Sequence, residues 1–203
     1  MAHELSVQNG VRTLLSNVSL SVSQGDIWQL AGGNGVGKTS LLRAFARLAR
    51  IEVFGRLERC EDVLYSGHSA ALKGALTPRQ NLMTHPSGLN VPSDLAIDTA
   101  LEAVGVLGHA DVQTARLSAG QKRRIGLARL ALAKRHLWLL DEPSTALDAA
   151  ATALLAKHIT AHCAAGGMAL IATHTDLPLD AETLTLAPPS AKTADPFLEG
   201  AFV

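Results

Sequence analysis

The chain has 203 residues, of which 47% are apolar and only 3% aromatic, so it can form one α/β domain around an aliphatic core. Eighteen basic and eighteen acidic residues cancel, and this balance disfavours nucleic-acid binding, which draws its affinity from a basic surface. Cys60 and Cys163 form no C-x-x-C pair, and no apolar run approaches the roughly 18 residues of a membrane helix. We therefore expect no disulfide framework, no zinc site and no membrane span.

The first part of the chain predicts strands that lead into a glycine-rich loop. Residues 4–7 and 16–23 alternate as strands do and are expected to form a small antiparallel edge. Residues 27–31 predict a further strand. Residues 38–50 carry apolar side chains at helical spacing, and residues 62–66 predict another short strand.

The second part predicts a helical region and then buried strands. Residues 67–92 are rich in glycine and proline and show little periodicity. Three later segments predict helices and two predict buried strands: helices at 94–104, 119–133 and 149–164, and strands at 136–141 and 168–173. Such alternation of apolar strands and helices predicts an α/β fold with a mostly parallel core sheet.

The domain organisation follows from where this alternation is interrupted. We interpret residues 1–203 as a single domain whose core sheet comes from residues 1–66 and 135–187. Residues 67–134 are expected to form an inserted helical lobe, because they show consecutive helices and no clear strand. Residues 188–203 are interpreted as a short C-terminal tail.

A glycine-rich segment joins the strand at 27–31 to the following helix. Glycines let the backbone turn its N–H groups toward a phosphate, and the helix N-terminus adds partial positive charge. In such a loop the lysine reaches the β- and γ-phosphates, and the final hydroxyl binds Mg²⁺. The segment matches G-x-x-x-x-G-K-[ST] and consists of Gly32, Gly33, Asn34, Gly35, Val36, Gly37, Lys38 and Thr39. Because a strand precedes it and a helix follows, it predicts ATP and Mg²⁺ binding rather than an ordinary glycine-rich turn.

Two acids end the predicted strand at 136–141. Asp141 is placed to present a carboxylate to Mg²⁺, and Glu142 is placed to act as a general base toward water. A strand that ends in Asp-Glu is weak evidence alone, because acids often begin the loop after a strand. Together with the glycine-rich loop it predicts ATP hydrolysis.

A second segment predicts another anion-binding helix start. Its residues are Ser118, Ala119, Gly120 and Gln121, and Ser118 is a typical N-cap for the helix that begins near Ala119. A capped helix is the simplest interpretation, yet such an N-terminus with small residues can also receive a phosphate. If the two anion sites of one chain do not face the same nucleotide, a head-to-tail dimer that shares two ATP molecules becomes the expected arrangement.

These motifs resemble those of ABC-transporter ATPase subunits. GGNGVGKT, LSAGQ, LLDEP, STALD and Thr173-His174 occur in the order and spacing of that family, over most of the chain. The resemblance implies the P-loop NTPase fold of the ABC type and a nucleotide-sandwich homodimer. It implies that Ser118 and Gly120 contact the ATP of the opposite subunit and that Asp148 lies in the dimer-interface loop. It also implies that His174 contacts the γ-phosphate and, with Glu142 and Lys38, serves catalysis.

Two positions depart from the family pattern. The family carries a glutamine after the strand at 62–66, at a position that couples the ATP site to the membrane partner, and here that position is His68. The family also carries an aromatic residue near position 9 that stacks on adenine. No aromatic residue occurs before Trp28, so the base is expected to be held by weaker apolar contacts.

Several features further resemble the ATPase subunits of cytochrome c maturation, the CcmA family. They include Gly67-His68, Leu76-Thr77, Asn81-Leu82 and the extended segment LSAGQKRR. That resemblance implies membrane partners of the CcmB and CcmC type and a peripheral location at the cytoplasmic face of the inner membrane. The driven event would be haem export or release of the haem-loaded chaperone CcmE.

Three alternatives stay open at this point. The first is the ATPase subunit of another small ABC transporter. The second is an ABC-type ATPase not tied to transport, which would require a coiled-coil insert, tandem ATPase halves or a basic surface that this sequence does not show. The third is an ATP-sensing module without hydrolysis, which the presence of Glu142 disfavours.

Overall fold

The computed structural model describes residues 1–10, 12–48, 52–67, 71–84 and 91–189. Within these ranges the chain forms eight strands, five α-helices and two short 3₁₀ turns. None of the helices in the described ranges is long and apolar enough to cross a membrane. The strands belong to two sheets, one antiparallel and one parallel.

Three strands form the antiparallel sheet, in the order β2-β1-β4. They are β1 (Ala2–Asn9), β2 (Arg12–Leu20) and β4 (Glu52–Leu57). Alternate side chains of β1 and β2, including Leu5, Val7 and Leu15, are fully buried. The period-2 pattern therefore places one face of this sheet against the core and leaves the other exposed.

Five strands form the parallel sheet, in the order β5-β6-β7-β3-β8. They are β3 (Ile27–Ala31), β5 (Val63–Ser66), β6 (Leu137–Asp141), β7 (Met168–Ala172) and β8 (Glu182–Thr185). The register pairs Asp141 with Ala172, so the carboxyl ends of β6 and β7 meet at one edge. Ligands of open α/β sheets bind at that edge.

Five helices complete the described fold. They are α1 (Lys38–Phe45), α2 (Pro78–Met83), α3 (Asp94–Ala103), α4 (Ala119–Leu132) and α5 (Ala149–Ala164). The side chains of Thr77, Ser93, Ser118 and Asp148 cap the N-termini of α2 to α5, each accepting a hydrogen bond from a backbone N–H of the first turn. Such caps explain why these helices begin where they do.

The parallel sheet separates two hydrophobic clusters, and β6 contributes to both. Trp138 and Leu140 face the cluster that contains α3, α4 and α5, whereas Leu137 and Leu139 face the cluster that contains α1 and the antiparallel sheet. All five residues of β6 are buried. This explains the uninterrupted apolar run that predicted a buried strand.

The α/β fold class is confirmed, including the parallel sheet, the antiparallel edge and the helices that the chain forms between β5 and β6. Helix α5 and strand β3 have the predicted bounds. The elements α2, β4 and β8 were not predicted, and α1 ends at Phe45 instead of continuing to residue 50. The domain limits stay a prediction, and residues 190–203 of the expected tail lie outside the described residues.

Candidate functional site

The glycine-rich loop connects the end of β3 to the start of α1. Gly32 has a φ of 139°, and a Cβ there would lie 2.6 Å from the carbonyl oxygen of Leu186. Gly37, with a φ of 105°, is the N-cap residue of α1, and a Cβ there would lie 2.8 Å from the side chain of Leu15. Both positions therefore need glycine for backbone conformation and for space. The loop tip, Gly33 to Gly35, is exposed.

The side chain of Lys38 folds back over this loop and is buried. Its Nζ donates hydrogen bonds to the carbonyl oxygens of Gly32, at 2.6 Å, and Gly33, at 3.2 Å. It also lies 3.4 Å from Nδ1 of His174. The ammonium group is thus held at the loop by neutral carbonyl groups, which a phosphate oxygen can replace with a stronger, charge-assisted contact.

A hydroxyl and a carboxylate meet between α1 and β6. Thr39 Oγ1 donates a hydrogen bond of 2.9 Å to Oδ1 of Asp141, and Asp141 is 4% exposed. Tyr65 on β5 donates a second hydrogen bond, of 3.3 Å, to Oδ2 of the same carboxylate. Burial raises the pKa of Tyr65, an effect that the hydrogen bond and the charge of Arg43 oppose. The phenol is therefore a protonated donor at neutral pH.

Glu142 and His174 extend from β6 and β7 at the same edge of the sheet. The Nε2 of His174 lies 3.2 Å from Oε1 of Glu142, and the backbone N–H of His174 donates to Oε2 at 3.4 Å. Glu142 is mostly buried, and His174 is half-exposed. The carboxylate is thereby held by His174, which also contacts Lys38, and it is placed as a general base that receives a proton from water would be.

The backbone at Glu142 has an uncommon conformation that Arg123 on α4 holds in place. Glu142 has a φ of 52°, a region that residues other than glycine seldom occupy. The guanidinium of Arg123 donates hydrogen bonds to the carbonyl oxygens of Glu142 and Thr145, the latter at 3.1 Å. Burial lowers the pKa of Arg123, and the charges of Asp141 and Glu142 oppose this effect. The arginine thus fixes the start and the middle of the loop that carries the candidate base.

We expect Arg123→Gln to lower kcat for ATP at least tenfold while fluorescent-ATP binding changes less than twofold. One glutamine amide cannot bridge the two carbonyl oxygens, and each hydrogen bond to a charged group contributes about 1.5–3 kcal/mol. Steady-state kinetics and nucleotide titration measure both quantities. Lys157→Gln, which removes an exposed charge from α5, is the matched control. Equal losses of kcat and of ATP affinity would contradict a positioning role for Arg123.

The second predicted anion site lies at the exposed N-terminus of α4. Ser118 Oγ accepts a hydrogen bond from the N–H of Gln121, and Gln121 Oε1 accepts one from the N–H of Ser118. Ser118 and Ala119 are exposed, and open space surrounds Gly120, since a Cβ there would meet only Ser118 Oγ at 4.0 Å. Within the described ranges, no hydrogen bond joins this segment to the glycine-rich loop. Its outward surface remains available to another molecule.

Asp148 occupies the N-cap of α5. Its Oδ1 accepts a hydrogen bond of 2.8 Å from the N–H of Ala151, and its Oδ2 forms an ion pair with Arg124 of α4. These contacts lower the pKa of Asp148. Arg123 and Arg124 therefore attach α4 to the two ends of the segment that runs from Glu142 to Asp148.

Most of the predicted site residues converge at one edge of the parallel sheet. The structure brings together Lys38, Thr39, Asp141, Glu142 and His174. The segment 118–121 is capped within its own helix, and His68 lies outside the described residues. Tyr65 and Arg123 were not identified from the sequence. Their contacts with Asp141 and Glu142 join distant positions and have no local motif.

The residues at this edge fit a nucleoside triphosphate together with Mg²⁺. The loop offers backbone N–H groups, a helix N-terminus and a buried ammonium group, all of which favour phosphate. Thr39 and Asp141 offer a pair of oxygen atoms 2.9 Å apart. Oxygen donors with one or two carboxylates are what Mg²⁺ takes in nucleotide sites, where the phosphates supply further ligands.

Comparison with known proteins identifies relatives of the whole domain. The family model for ABC transporters matches residues 15–145. The chain is 43% identical over 187 residues to the cytochrome c biogenesis ATP-binding export protein CcmA of Sodalis glossinidius, covering 87% of this chain and 89% of that protein. The CcmA protein of Ruegeria pomeroyi is 43% identical over 192 residues, covering 94% and 92% of the two chains.

A solved structure has the same fold. The ATP-binding protein of an ABC transporter from Pyrococcus furiosus superimposes with a TM-score of 0.77 at 22% identity, covering 91% of this chain and 96% of that one. Its identity is low, so this likeness concerns the fold. The family match spans more than half of the chain, and the relatives are similar over nearly their whole length. The chain therefore belongs to the ABC transporter ATP-binding family and, within it, to the cytochrome c biogenesis ATP-binding export proteins.

Proposed function

We propose that the chain is the ATP-hydrolysing subunit of an ABC transporter complex in cytochrome c maturation, where it powers haem export or release of a haem-loaded chaperone. The observation that carries the hydrolytic part is the meeting of Lys38, Asp141, Glu142 and His174 at one edge of the sheet. The similarity to cytochrome c biogenesis ATP-binding export proteins supports the biological setting.

Each residue at the edge has a distinct proposed role in ATP hydrolysis. The backbone of residues 32–39 binds the phosphates, and Lys38 exchanges its carbonyl contacts for the β- and γ-phosphate oxygens. Thr39 and Asp141 would hold Mg²⁺, which neutralises charge on the phosphates when it is bound. Glu142 accepts a proton from the attacking water. His174, close to both Lys38 and Glu142, is the contact to the γ-phosphate.

We propose that two copies of the chain form a nucleotide-sandwich homodimer. In this arrangement the segment Ser118, Ala119, Gly120 and Gln121, of which the first two residues are exposed, contacts the ATP bound by the opposite copy. Their free surface at the N-terminus of α4 supports this assignment, because such a helix end attracts a phosphate. Asp148 lies in the interface loop of the proposed dimer, where its ion pair to Arg124 attaches that loop to α4.

The proposed complex includes membrane subunits that this chain does not itself supply. Membrane partner subunits follow from membership of the ABC transporter family. We propose that they are of the CcmB and CcmC type and that the chain is peripheral at the cytoplasmic face of the inner membrane. Affinity purification of the chain in detergent from its own cells, followed by mass spectrometry, tests this. Recovery of the membrane subunit of an unrelated small transporter would reject the cytochrome c assignment and leave the ATPase assignment intact.

We expect His68, the residue at the family's coupling position, to link ATP turnover to the membrane partner. A neutral imidazole can accept a hydrogen bond as a glutamine carbonyl does. His68→Gln should therefore keep substantial ATPase activity, whereas His68→Ala should abolish stimulation by the partner and keep basal turnover. ATP turnover of the reconstituted complex, with and without the partner, checks this. Full stimulation of the alanine variant would contradict a coupling role for His68.

A further inference from the structure

Tyr65 is the single tyrosine of the chain, and it lies beside the predicted metal site. It belongs to β5, where it pairs in register with Leu139 of β6, two residues before Asp141. Its ring packs against the cluster that contains α1 and the antiparallel sheet, and its Oη donates the 3.3 Å hydrogen bond to Asp141. The ring is thus held by packing while the hydroxyl reaches the carboxylate.

The two oxygen atoms of Asp141 are held by hydroxyl groups from two different elements. Thr39 at the start of α1 contacts Oδ1, and Tyr65 on β5 contacts Oδ2. The terminal torsion of an aspartate side chain has a broad energy minimum, so the backbone alone does not fix the plane of the carboxylate. Hydrogen bonds to both oxygens do fix it. Asp141 is also buried, which makes each of these contacts stronger than it would be in water.

We propose that Tyr65 is a positioning residue that holds Asp141 for Mg²⁺. This inference rests on the proposed function, in which Thr39 and Asp141 both hold the cation. In that role the Thr39 oxygen is shared with the metal, whereas the Tyr65 hydroxyl is engaged with Asp141 Oδ2. Tyr65 therefore keeps the carboxylate in one orientation before and after the metal binds. Pre-orientation of a ligand lowers the cost of binding, and partners of this kind affect metal affinity about 10- to 100-fold.

The first measurement is the Mg²⁺ requirement of Tyr65→Phe. The phenylalanine ring preserves the packing and removes only the hydroxyl. The Mg²⁺ concentration that gives half-maximal ATPase activity should rise about tenfold, while kcat at saturating Mg²⁺ should fall less than threefold. Binding of fluorescent ATP without metal should not change. Thr99→Val, which removes a hydroxyl hydrogen bond from α3, is the matched control and should keep the wild-type Mg²⁺ requirement.

The second measurement uses the single tyrosine as a spectroscopic reporter that does not depend on turnover. Protein labelled with [¹³Cζ]tyrosine gives one tyrosine signal, because the chain has one such residue. Titration of Mg²⁺ into the labelled protein saturated with ADP should shift this signal. The shift should disappear in Asp141→Asn, because the carboxylate through which Tyr65 senses the metal is gone.

The outcomes separate this inference from the proposed function. If Asp141→Asn raises the Mg²⁺ requirement but Tyr65→Phe leaves it within twofold of wild type, the role of Tyr65 is overturned and the metal site stands. An unshifted wild-type tyrosine signal at saturating Mg²⁺ also overturns the role of Tyr65. If Asp141→Asn has no effect on the Mg²⁺ requirement, the assignment of Asp141 to the metal site is wrong, and the role proposed for Tyr65 is wrong with it.

Discussion

Replacing Glu142 with glutamine should nearly abolish ATP turnover while ATP still binds. An amide cannot accept the proton of the attacking water, and loss of a general base typically lowers the rate ~10²–10⁴-fold. The substitution keeps the shape of the side chain, and its carbonyl oxygen can still accept the hydrogen bond from the N–H of His174. Lys38, Thr39 and Asp141 are untouched, so the contacts proposed for the nucleotide and Mg²⁺ remain.

This variant should also accumulate as a closed dimer in the presence of ATP and Mg²⁺. Hydrolysis is the step that opens the proposed dimer, so its loss traps the two copies around their nucleotides. Multi-angle light scattering with ATP and Mg²⁺, compared with ADP, measures the mass of the assembly. The wild-type chain under the same conditions is the control. A variant that stays monomeric and hydrolyses ATP at the normal rate would contradict both the role of Glu142 as general base and the proposed dimer.

The second large effect should be a difference between variants of the two predicted anion sites, one in the glycine-rich loop and one at the start of α4. Lys38→Ala removes the ammonium group from the phosphate loop and should weaken ATP binding ~10- to 100-fold, since hydrogen bonds to charged groups contribute about 1.5–3 kcal/mol each. Ser118→Arg should leave the affinity of the monomer for ATP unchanged. It should still block hydrolysis, because a bulky cation at the start of α4 obstructs the proposed contact with the opposite copy.

Titration with fluorescent ATP at protein concentrations below dimerisation measures the affinity of both variants. ATPase assays at higher concentration then measure turnover. Mixing Ser118→Arg with Lys38→Ala provides an internal control, because a mixed dimer keeps one site with both wild-type halves and should regain part of the activity. If both variants lose affinity equally, the two motifs serve one nucleotide within a single chain.

Local sequence patterns predicted the strands that are buried on both faces and the helices that begin at a capping residue. β6 is buried on both faces and therefore reads as a continuous apolar run, and α5 begins at its Asp148 cap. Strand β8 has one apolar residue among four and lies at the edge of the sheet, so its formation depends on pairing with β3. Strand β4 contains a glycine that interrupts its apolar alternation. The formation of such strands depends on pairing within the folded sheet, so their sequences carry little local signal.

Helix α2 was missed although the sequence contains its start signal. Thr77, Pro78 and Gln80 form a capping box with proline in the first turn, a pattern that predicts a helix start. Its six residues are too few to show helical periodicity within a turn-rich segment.

The motif residues of the site were predictable because phosphate chemistry requires them at fixed spacing. Tyr65 and Arg123 were not, because their partners are distant in the sequence and meet them only after the chain folds.

The position of β6 between two hydrophobic clusters has a consequence for how this chain can vary during evolution. Residues 137–140 pack alternately into one cluster and the other, and the next two residues are the candidate catalytic acids. Replacing a buried leucine with alanine lowers the free energy of unfolding by about 2–5 kcal/mol, because neighbouring side chains shift and fill the cavity only partly. A cavity in either cluster therefore displaces the strand that ends in Asp141. We therefore expect substitutions in this strand to be tolerated poorly, and substitutions on the outer faces of the helices and the antiparallel sheet, away from β6, to be tolerated better.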